Sequence, residues 1–182
     1  MTKKFIIGID PGKGGGIVTL TNGRVTTVDK MPQGPSNLWD FFISLGFPSM
    51  LDLDRTWVFI ENVHSMPNDA KGSVWTFGKH VGQLEMLSEL LNMSPLYVTP
   101  QVWQRWLSEA YMGFTKTGLT KTQWKSALAK HAKKIIGPKW AKNITLATAD
   151  AYFIALYGWN LVQGEEINTK RSSKGNVPVP IH

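Results

Sequence analysis

"FIIGIDPGKGGG", residues 5–16, carries an apolar run into an acid, Asp10, and then into a turn of four glycines around Lys13. The run reads as a buried strand. An ionised carboxylate at the end of such a strand is costly unless it is paired or bound to metal, so Asp10 either opens a plain Asp-Pro-Gly turn or serves a site. Working outward, "GGIVTL" resumes the apolar pattern at residue 15, Asn22-Gly23 is a tight hairpin signal, and "RVTTVDKM" follows with alternation. These three segments predict an antiparallel three-stranded meander.

Residues 36–46 predict a short helix, with Ser36 as its N-cap and Gly46 as its stop. "TWVFIEN", residues 56–62, is a further buried strand, and again an acid, Glu61, stands at its end. A polar loop follows, then a helix over residues 74–91 in which Val74, Phe77, Val81, Leu84, Leu87 and Leu91 recur at helical spacing. "PLYVTP" (95–100) is a short strand, and residues 101–110 and 120–136 read as two helices joined by a glycine-containing loop. A last helix over 146–162, apolar on most faces and therefore buried, carries one charged residue, Asp150. Residues 1–162 are expected to form one domain. From 163 to 182 the chain loses periodicity and gains polar residues and prolines, which predicts a mobile or surface-wrapped tail.

Composition narrows the function classes. The chain has 182 residues, 42% of them hydrophobic, and its longest apolar runs fall well short of the roughly 20 residues that span a bilayer, so no membrane partner is expected. Two lysines precede the first apolar run, but the aspartate and Pro-Gly turn that follow indicate a strand rather than a signal peptide. There are no cysteines, which removes disulfides, thiolate zinc sites and Cys nucleophiles and fits a cytoplasmic, reducing compartment. Any metal must then sit on oxygen or histidine. Twenty Lys and Arg against thirteen Asp and Glu give a net charge of +7, a balance suited to a polyanion, with nucleic acid the leading partner. Residues 116–142 hold eight lysines and no acid.

Three acids in apolar elements, Asp10, Glu61 and Asp150, need a common explanation. If the fourth strand pairs in parallel beside the first, Asp10 and Glu61 emerge at one sheet edge, where open α/β sheets place their ligands, and the last helix brings Asp150 alongside. Oxygen ligands without cysteine suit Mg²⁺ or Mn²⁺, and a pair of such ions clamps the attacking and leaving oxygens of a phosphodiester. Lys13 and the glycines beside it would receive the phosphate.

"IIGIDPGKGGG", "VFIENVHSMPNDAKGSVWTFGKHVGQL", "VTPQVWQRWL" and "LATADAYFIALYG", in that order, resemble the RuvC-like Holliday junction resolvases of the RNase H-like superfamily, most closely their phage and prophage branch. The resemblance covers nearly all of residues 4–160. It implies an α/β fold, an RNase H-like mixed sheet of an antiparallel three-stranded meander plus two parallel strands, flanked by helices. It also implies a homodimer, two divalent ions held by Asp10, Glu61 and Asp150, no nucleotide cofactor, and paired nicking of a four-way DNA junction. The family's last helix carries a second acid three residues before Asp150, where this chain has Ala147; water, Thr148 or Asn143 would have to fill that place, or activity is weakened.

DNA contacts are expected from Lys13, His64, Trp75, Lys125, Lys130, Lys133 and Lys134, with Trp75 and Phe77 alternatively packing the helix on its sheet. Gly78 and Gly82 permit close helix approach, either at a dimer contact or against the chain's own sheet. His131 is expected on the exposed basic face. The leading function is a metal-dependent endodeoxyribonuclease, and the alternative is a catalytically weakened junction-binding protein of the same fold. An actin-like ATPase or sugar kinase shares the first phosphate loop but needs two such lobes and about twice the length.

Overall fold

The computed structural model describes residues 3–47, 55–63, 71–111 and 115–172. Strands β1 (Phe5–Asp10), β2 (Gly16–Thr21) and β3 (Arg24–Lys30) form the expected antiparallel meander. Asn22 and Gly23, at φ 50° and 75°, make the β2–β3 turn, whose left-handed residues match the twist of the paired strands. After α1 (Pro35–Ser44), strand β4 (Thr56–Glu61) pairs in parallel with β1, and beyond α2 (Lys71–Leu90), β5 (Leu96–Val98) pairs in parallel with β4. The sheet order is β3-β2-β1-β4-β5. Helices α3 (Pro100–Ala110), α4 (Lys121–Ile135), the single turn α5 (Pro138–Ala141) and α6 (Ala149–Ser172) complete the chain.

Both faces of the sheet are covered. Ile7, Ile9, Ile17, Val58 and Ile60 pack with Leu38 and Phe42 of α1 and Leu84 and Leu87 of α2. On the opposite face Ile6, Val18, Leu20 and Phe59 meet Trp103 and Leu107 of α3, Leu128 of α4, and Ala151, Phe153 and Ala155 of α6. Alternate residues of a strand point to opposite faces, so the odd and even positions of β1 serve different layers. Helix α6 lies directly on β1 at Gly8, where a Cβ would collide with the backbone of Ala151 and Ala155. That close approach needs glycine on the strand and alanines on the helix.

Several local expectations change. Helix α1 is capped by Gly34 rather than Ser36, because Pro35, with no N–H to satisfy and a helical φ, takes the first helical position. Its end is as expected at Gly46: Gly46 N–H donates to Ile43 O (2.9 Å) and Phe47 N–H to Phe42 O (3.2 Å), a Schellman closure that seats Phe47 in the core. Helix α6 starts at Ala149, later than residue 146, and runs on to Ser172 rather than ending at Val162. Its delayed start has a cause in Thr148, whose hydroxyl donates to Asn143 O (2.9 Å) and accepts from Thr145 N–H (2.9 Å), closing a turn before the helix. His131 is not on an exposed face; it is half-buried, stacked on Phe153 with centroids 5.9 Å apart and edge-on to Tyr111 at 4.8 Å.

Candidate active site

The parallel register puts Ile9 opposite Ile60, so Asp10 and Glu61, each one residue further on, leave adjacent strands side by side. Ile9 and Ile60 face α1 and α2, and their neighbours Asp10 and Glu61 therefore turn to the α6 side. Asp150 lies in the first turn of α6, where the partial positive charge of a helix N-terminus favours an acid. Because α6 rests on β1 at Gly8, its first turn stands over the end of that strand. Asp10, Glu61 and Asp150 are 7%, 8% and 7% exposed, which removes most of the water that would otherwise screen them.

Their electrostatics follow from that crowding. Burial, then the charges of Glu61 and Asp150, push the Asp10 carboxyl well above the usual carboxylate range. The direct interaction of the two carboxyls raises Asp10 further and acts to lower Glu61. Burial also raises Glu61, opposed by a hydrogen bond from Trp103 Nε1 to Glu61 Oε1 (2.9 Å). Lys125 Nζ of α4 sits 3.1 Å from Asp150 Oδ2 and 4.0 Å from Asp10 Oδ2. Burial acts to lower the Lys125 pKa, but the attraction of Asp150, Asp10 and Glu61 outweighs it and the ammonium is held above its ordinary value.

Among the described residues no three acidic or histidine side chains are grouped so as to hold a metal ion as they stand. The donor chemistry nevertheless fits a divalent cation. Three buried carboxylates supply oxygen alone, and Asp150 Oδ1 is buried with no hydrogen-bond partner. A cation entering beside Asp10 would offset the mutual repulsion of the three acids and satisfy that oxygen. The Thr148 hydroxyl does not replace the missing acid, being committed to its own turn, while Asn143 is tied through Nδ2 to Val28 O (3.4 Å). Ala147 lies half-buried in the turn ahead of α6, not on the helix one turn before Asp150.

Asp10 opens into a cleft of about 660 Å³ formed by the turn from Asp10 to Gly15, Thr76, Phe77 and Lys125, and Glu61 lines a neighbouring cleft of about 450 Å³ that shares Phe77. Gly12, at φ 104°, bends this turn, and the Phe77 ring would lie 3.3 Å from a Cβ there. Phe77 is thus both packed and at the cleft. Lys13 is exposed on the rim. Trp75 is 75% exposed, which removes the packing alternative for it. Lys130, Lys133 and Lys134 are exposed on α4, whereas Lys125 is half-buried and turned to the acids. His64 lies outside the described residues. Sequence reading missed Trp103 as a partner of Glu61; the signal was an indole on the buried side of α3, which needs an acceptor for its N–H.

An antiparallel meander joined to two parallel strands, with acids ending the two central strands and a C-terminal helix laid across them, defines the RNase H-like class of α/β fold. Within that class the chain has the fold of RuvC. The solved structure of Thermus thermophilus RuvC in complex with a Holliday junction substrate is similar at a TM-score of 0.55 and 16% identity, over 88% of this chain and 96% of that one. Thermus thermophilus RuvC described by itself is similar at 0.53 and 18% identity over the same shares of each chain. No family model and no curated protein matches the chain.

Proposed function

We propose that the protein is a metal-dependent DNA endonuclease selective for branched DNA, resolving four-way junctions by paired nicks. The observation that carries this reading is the gathering of three buried carboxylates, from β1, β4 and α6, around Lys125, with Asp10 on the wall of an open cleft. The fold shared with RuvC, a protein solved with a Holliday junction, supports the choice of substrate.

In this reading Asp10, Glu61 and Asp150 bind Mg²⁺ or Mn²⁺, which when bound activates water and stabilises the leaving oxygen of a phosphodiester. Trp103 holds Glu61 Oε1 by its 2.9 Å hydrogen bond and so restricts rotation of the carboxylate. Lys13 and the glycine turn receive the phosphate of the strand to be cut, leaving a 5′-phosphate and a 3′-hydroxyl. Lys130, Lys133 and Lys134 hold the DNA backbone, and Trp75 offers a stacking surface for unpaired bases.

A homodimer suits paired nicks, since a two-fold axis presents two sites to a four-way junction. Supporting it, Gly78, Gly82, Met86 and Leu90 form one stripe along α2, with Met86 and Leu90 exposed and open space where Cβ atoms of the two glycines would be. The ion pairing of Lys125 with Asp150, together with Ala147, favours a second reading, a junction-binding protein with weakened catalysis.

Incubation of a labelled four-way junction with Mg²⁺ or Mn²⁺, beside duplex, fork and flap controls, separates the two. Paired symmetric nicks confined to the junction are expected; binding without any nick, in both metals, would leave the second reading standing.

A further inference from the structure

We infer that Lys125 takes the place of one of the two expected cations, so that this site binds a single divalent ion beside a built-in ammonium. The inference rests on the reading of Asp10, Glu61 and Asp150 as metal ligands, and three observations lead to it.

The first is position. Lys125 Nζ lies between two of the three carboxylates, 3.1 Å from Asp150 Oδ2 and 4.0 Å from Asp10 Oδ2, and it comes from α4, an element separate from those that carry the acids. An ammonium there keeps a second cation away from the oxygens it occupies, because two unscreened positive charges at that spacing in a buried site repel strongly. The second is the supply of oxygens. Glu61 Oε1 is held by Trp103 and Asp150 Oδ2 by Lys125, while Asp150 Oδ1 is buried and unpartnered. Ala147 adds no ligand, and the Thr148 hydroxyl is engaged within its own turn. What remains open is enough for one ion and short of the two separate sets that a pair requires. The third is charge. One divalent ion and one ammonium together balance three ionised carboxylates, whereas two divalent ions beside the ammonium would leave a buried excess of positive charge in the free protein.

The test counts ions on the whole protein without DNA, by Mn²⁺ electron paramagnetic resonance and by calorimetric titration. Wild type is expected to bind one Mn²⁺ per chain in the cleft, and Lys125→Arg, which keeps the charge, one as well. Lys125→Met, which keeps the stem and frees Asp150 Oδ2, is expected to bind two, and Asp150→Asn in that background should abolish the gain. Two ions on wild type would overturn the inference and leave the metal-site reading intact, even if Lys125→Met failed to fold. One ion on a folded Lys125→Met would overturn it in the same way. No Mn²⁺ on any of these proteins would overturn the metal-site reading and the inference with it.

Discussion

Asp10 is the residue at which cost and use meet. Its carboxyl is raised by burial and by two neighbouring acids, so in the metal-free protein its ionisation opposes folding. A carboxyl raised in the folded state favours folding fully below its unfolded pKa, and that advantage is lost as pH climbs through the folded value. Asp10→Asn should therefore stabilise the metal-free protein relative to wild type, by an amount that grows as pH rises from about 4 through that raised value, read as a widening gap in chemical denaturation midpoints. The same variant should lose junction cleavage while still binding junctions. A midpoint gap that closes with pH would show Asp10 to be ionised and well paired. Trp103→Phe leaves Glu61 Oε1 without its donor, and a loss of about 1–3 kcal/mol is expected in denaturant titration.

Placement of α6 decides where Asp150 stands, and that placement depends on small residues. A methyl group at Gly8 would meet the helix backbone at Ala151 and Ala155, which cannot move without carrying the first turn of α6 with it. Gly8→Ala should lower stability by about 1–3 kcal/mol and reduce cleavage, because Asp150 shifts relative to Asp10. Unchanged activity in a destabilised Gly8→Ala would mean that the site tolerates movement of this helix. The turn ahead of α6 is more forgiving. Ala147 is half-buried rather than in the core, so Ala147→Asp should cost less than about 1 kcal/mol, well below the price of a carboxylate sealed in apolar surroundings. If its new carboxylate joins the other three, half-maximal cleavage should come at lower Mg²⁺; an unchanged requirement would place the residue away from the ligands.

Across the whole molecule, the net charge of +7 is spent unevenly. Lys125 is neutralised within the acid cluster, while Lys130, Lys133 and Lys134 remain on the surface of α4. Junction affinity should fall steeply with salt, and replacing any one of the three surface lysines by alanine should lower the slope of log affinity against log salt by about 1. Lys125→Met should leave that slope nearly unchanged. A flat response to salt, or an equal effect from Lys125, would show that the basic run does not form the DNA track. Among the described residues no helix is long and apolar enough to cross a membrane.

The meander, both parallel strands and most of the helices were legible in the sequence because alternation and helical spacing are local consequences of burying one face of an element. Asp10, Glu61 and Asp150 stood out for a similar reason: an acid inside an apolar run is conspicuous whatever surrounds it. The role of Lys125 was not legible. In the run from 116 to 142 it is one lysine among eight, and nothing local distinguishes a side chain turned to solvent from one turned to a carboxylate on another element. Trp103 and Glu61 are likewise 42 positions apart, and only the packing of α3 on the end of β4 joins them. Periodicity is written along the chain, but the charge that each buried acid meets depends on helix packing, and that was decided by tertiary contacts such as α6 on Gly8.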